Sequence, residues 1–108
     1  MQVKNEKLET AFTEFSRLPF PKDSDNEELS ELHAELVMYD SFIAGNISAI
    51  LDNKQVTLAT LKSNHKLKIH LTKLANDGSL EAKNYLKYLD ELDKLINLAL
   101  DHASSVTN

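Results

Sequence analysis

Apolar residues recur along this chain at three- and four-residue intervals, the spacing that lines one side of an α-helix. Leu8, Ala11, Phe12, Phe15 and Leu18 share one face and predict a first helix over about 3–18. Pro19-Phe20-Pro21 ends it, because proline cannot continue a helix and holds the residue before it in extended geometry. Phe20, set between the two prolines, is expected to plug one end of the core. Two overlapping capping boxes, Ser24 with Glu27 and Asp25 with Glu28, announce a second helix over about 26–53. On a helical wheel Leu29, Leu32, Leu36, Ile43, Ile47 and Ile50 form its core stripe, with Tyr39 and Asp40 at the edges. After a turn at 52–56, a third helix is expected over about 57–76, stopped at Asn76-Asp77-Gly78, where glycine suits a left-handed C-terminal position. Ser79 then caps a fourth over about 80–104, whose Tyr85, Leu89, Leu92, Ile96, Ala99 and Ala103 make the cleanest stripe in the chain.

Long helices joined by short connections pack as antiparallel neighbours. The expected fold is therefore all-α: a single domain over 1–108, an antiparallel up-down four-helix bundle with long second and fourth helices. Two glycines and two prolines leave little turn chemistry for hairpins, which supports the same conclusion. With 42% apolar and 27% charged residues the chain has enough to fill one core, so wholesale disorder is not expected.

The absence of cysteine excludes disulfides, thiolate zinc sites and a cysteine nucleophile, and fits a cytoplasmic setting. The N-terminal residues have no apolar signal core, and no run approaches the ~20 apolar residues of a membrane span, so a membrane partner is not expected. A net charge of −5 disfavours nucleic acid. The distribution of charge is more informative. Residues 23–40 hold seven acids and no lysine or arginine, whereas 53–76 hold five lysines and no acid.

The second helix changes character half-way. Between Leu36 and Leu51 the one charged residue is Asp40, which points toward the core side. The outward face is left to Met38, Ser41, Phe42, Gly45, Ser48 and Ala49. A helix without charge all round is normally covered all round. Either the first helix folds over this face, or a second copy or another protein packs on it. Gly45 costs about 1 kcal/mol relative to alanine in a helix interior, and close approach of another helix would offset that. Asp40 needs a partner in its core-edge position, and Lys68, Tyr85 and Tyr88 are the candidates. The expected role of the resulting pair is structural.

No catalytic, metal or cofactor site emerges from the residues. His33, His65, His70 and His102 show no ligand pair at helical spacing, and no Gly-rich loop is present. His70-Leu-Thr-Lys73 resembles the His-x-x-Lys-Gly core of histidine-containing phosphotransfer domains. In that family a solvent-facing histidine carries the phosphoryl group, a lysine follows one turn on, and a glycine leaves room for the partner. The resemblance implies those roles for His70 and Lys73, but Leu74 stands where the glycine belongs. Lys62, Lys66 and Lys73 surround Ile69 without arginine or aromatic company, which gives no means of reading or stacking on bases. The reading is a small cytoplasmic non-enzyme acting by protein contact as a regulator, adaptor or immunity- or antitoxin-like binder. It is expected to form a homodimer through the uncharged half of the second helix. The alternatives are a phosphotransfer bundle using His70 and a bundle with a small-molecule pocket beside Asp40, Tyr85 and Tyr88.

Overall fold

The structure is a computed structural model that describes residues 6–52, 54, 61–62 and 64–106, with side chains described as far as 101. Its elements are α1 (Glu6–Ser16), α2 (Glu27–Leu51), α3 (His65–Asn76) and α4 (Leu80–Val106). The chain is an all-α four-helix bundle with long second and fourth helices, consistent with up-down packing. Residues 3–5, most of the expected 52–56 turn, residues 57–60 and the side chain of Ala103 lie outside the described residues.

The helix ends show which polar groups satisfy the free backbone amides. At the start of α2 it is Asn26 that caps, its Oδ1 accepting from the Leu29 N–H at 3.0 Å. Neither Ser24 nor Asp25 does so; Ser24 Oγ instead accepts from the Asn26 N–H at 3.1 Å. Three consecutive side chains had capping chemistry, and the last of them won. Leu61, Lys62 and Asn64 are not helical, and Asn64 Oδ1 accepts from the Leu67 N–H at 3.1 Å. This cap starts α3 at His65, later than the spacing suggested. Gly78 closes it with φ of 100°, where the Gly78 N–H donates to Ala75 O and the Ser79 N–H reaches back to Leu74 O. Ser79 Oγ accepts from the Ala82 N–H at 3.1 Å and opens α4, as expected.

α4 is the hub. It packs against each of the other three helices, most extensively α3, then α2, then α1, while α2 and α3 touch each other less. Its expected stripe of Tyr85, Leu89, Leu92, Ile96 and Ala99 is buried, widened by Ala82, Tyr88 and Leu95. A single narrow stripe could not face three neighbours. On α2 the expected Leu29, Leu32, Leu36, Ile43 and Ile47 are buried, each such side chain contributing about 2 kcal/mol by leaving water. α1 joins through Leu8 and Phe15, with Phe15 against the Tyr88 ring at 5.1 Å between centroids. Phe20 is the plug its prolines suggested, edge-on to Tyr88 at 4.8 Å and to His33 at 5.4 Å. Leu18, expected on the core face, is 42% exposed because the chain has left the helix before Pro19. One core cluster includes side chains from all four helices.

Candidate functional site

α1 lies along α4 and leaves the outer side of α2 open. Met38 is 74% exposed and Phe42 51%. Ser41, Gly45 and Ser48 are exposed beside them, and Ala49 is half-buried. Of the two possible covers read from the sequence, the first helix is thus excluded. A Cβ added at Gly45 would meet no atom of the described residues within 4 Å, so nothing among them requires a glycine there. The face is apolar or small, free of charge, and bare. α2 is also long and apolar enough to cross a membrane by length and composition, a property the sequence reading had denied to any stretch of the chain. Its inner stripe, however, is packed against α4.

On the opposite edge, Asp40 finds a partner. The Tyr88 hydroxyl donates to Asp40 Oδ1 at 3.0 Å. Partial burial pushes the Asp40 carboxyl above the usual carboxylate range, and the Tyr88 hydrogen bond offsets part of that. Burial and the neighbouring Asp40 charge together push the Tyr88 hydroxyl upward. Tyr85, grouped with these residues by sequence, turns elsewhere: its hydroxyl donates to Lys22 O at 2.7 Å. Lys68 also goes elsewhere, lying 3.4 Å from Asp93 Oδ2 and 3.6 Å from Asp90 Oδ1. The Tyr85 and Tyr88 rings are buried among Phe15, Phe20 and His33.

His70 is half-buried, with Nε2 3.1 Å from Glu28 Oε2. A carboxylate against that nitrogen repels an incoming phosphoryl group, and Leu74, in the place of the phosphotransfer glycine, packs against the core. Lys73 is exposed on the rim of an open groove of about 510 Å³ that also includes Glu28, Lys66, Ile69, His70 and Asp77. Among the described residues no three His, Asp or Glu side chains converge on a point that could hold a metal ion.

Two polar arrangements escaped the sequence. His33 Nε2 bonds Pro21 O at 2.8 Å while Nδ1 lies 3.8 Å from Asp23, fastening the α1–α2 connection to α2. The Tyr39 hydroxyl, pushed up to about 12 chiefly by burial, donates to Lys62 O at 2.8 Å and fastens the approach to α3. His33 falls near Asp40 on the helical wheel, so the signal for its inward placement was present; its carbonyl partner was not visible in any spacing.

The chain matches no protein-family model, no curated protein and no solved structure.

Proposed function

We propose that this protein works by protein contact, through the outer face of the C-terminal half of α2, and that the contact is first of all with a second copy of itself. The observation that carries this is the bare, charge-free face at Met38, Phe42 and Gly45. Apolar side chains left in water on an otherwise charged helix favour association. The class of action is that of a small regulator, adaptor or immunity- or antitoxin-like inhibitor in the cytoplasm, in which binding does the work and no bond is made or broken.

Magnitudes set the expected strength. Covering Met38 and Phe42 on both copies removes four large apolar side chains from water, up to about 8 kcal/mol before costs. Association itself costs at least about 4 kcal/mol. The surplus, at most about 4 kcal/mol, corresponds to a weak dimer with a Kd of about 1 mM.

Sedimentation velocity up to about that concentration, on the wild type and on Phe42→Glu, tests the reading. Phe42 is half-exposed and outside the core, so the substitution leaves the fold intact while placing a charge on the face. The expected result is a concentration-dependent dimer that Phe42→Glu abolishes. A wild type that stays monomeric, or a dimer indifferent to Phe42→Glu, would overturn it.

A further inference from the structure

Ile69 is 69% exposed in the middle of α3, on the side of a helix that solvation alone would fill with polar residues. Lys66 stands one turn before it and Lys73 one turn after, both exposed. α3 contains no acid. Elsewhere lysines are engaged by carboxylates, Lys68 by Asp90 and Asp93 and Lys94 by Glu91. Lys66 and Lys73 have no carboxylate within ion-pair distance among the described residues. Beside them runs the open groove of about 510 Å³, whose apolar lining is Ile69 and Leu74. Two acids border it: Glu28, already held 3.1 Å from His70 Nε2, and Asp77 at the C-cap of the helix.

We infer that this face of α3 docks an acidic amphipathic helix of another protein. The partner seats an apolar side chain on Ile69 and Leu74 and sets one carboxylate against Lys66 and another against Lys73. This surface is separate from the outer face of α2 and does not depend on self-association. Charge complementarity fixes the sign of the partner, and spacing fixes its pattern. The two lysines are seven residues apart, about 10 Å along the axis. A facing helix matches that rise with acids seven residues apart and an apolar anchor between them, the usual pattern of a helix read by a groove. In the unbound chain the lysine stems flank Ile69 and keep the face soluble.

A nucleic-acid backbone is the rival anion. It carries a charge at every phosphate, so it would also meet Asp77, Glu28 and the exposed Glu27 and Glu31 beside Glu28 on α2. A protein segment can place uncharged or basic residues opposite those acids and keep its own for the lysines.

Fluorescence anisotropy tests this with a capped, fluorescein-labelled peptide: two glutamates seven residues apart, leucines three and four residues after the first, and alanine and glutamine elsewhere. Saturable binding is expected, weakened several-fold by Lys66→Glu, by Lys73→Glu and by Ile69→Ser, and weakened also by high salt. Circular dichroism should show the three variants as helical as the wild type. The same peptide with lysine for glutamate, and a labelled thymidine oligonucleotide, should bind several-fold more weakly. Phe42→Glu should leave peptide binding unchanged, so failure of the α2 contact and failure of this one are read separately. A glutamate peptide that binds no more tightly than its lysine counterpart would overturn the inference. So would binding indifferent to the three α3 substitutions, or tighter binding of the oligonucleotide.

Discussion

Asp40 and Tyr88 meet where α2 presses on α4, at a depth that disfavours charge on either side chain. Because the Asp40 pKa is raised in the fold, the folded chain holds that proton more tightly than the unfolded chain does. The stability linked to it is complete below the ordinary carboxylate value of 3.8 and is lost as pH rises through the higher folded value. At pH 7 the ionised carboxylate is thus a cost. Asp40→Asn keeps an oxygen to accept the Tyr88 hydrogen bond and removes the charge. Its urea midpoint should exceed that of the wild type at pH 7, and the gap should close below about pH 4. A midpoint lower than wild type at pH 7 would mean that the charge itself is needed there. What the pair supplies to the fold is a hydrogen bond that joins α4 to α2.

At the scale of the helix, Gly45 separates what the fold needs from what the surface is for. Among the described residues nothing approaches its missing β-carbon, and alanine is the better helix former by about 1 kcal/mol. Gly45→Ala should therefore raise the thermal stability of the dilute monomer by that amount and weaken its self-association by sedimentation. A substitution that left association unchanged would remove close approach as the reason for the glycine. The helices themselves were largely legible, because the buried stripes of α2 and α4 repeat at helical spacing and Gly78 and Ser79 punctuate the chain with unambiguous chemistry. The start of α3 was not, since Asn64 caps from inside a lysine-rich stretch whose apolar spacing continues upstream. The candidate face was legible as a run without charge. Its bareness was not, because that depends on where α1 goes, and α1 is drawn to α4 by the packing of Phe15 and Phe20 on Tyr88. Spacing within one helix says nothing about which neighbour another helix chooses.

The whole molecule measures 51 × 25 × 19 Å, and its radius of gyration of 15.0 Å exceeds the roughly 13 Å usual for a chain this long. One flank of α2, at Met38 and Phe42, has no neighbour among the described residues. Along it the acidic start of α2 gives way to a half without charge before the exposed C-cap Asp52. The position of the hub has a further consequence, for the order in which the bundle is made. α4 follows the other three in the chain, so the ribosome releases α1, α2 and α3 before the surface on which they pack exists. The sides of those helices that face α4 have no partner until it emerges, so the bundle is expected to close only once the last helix is made.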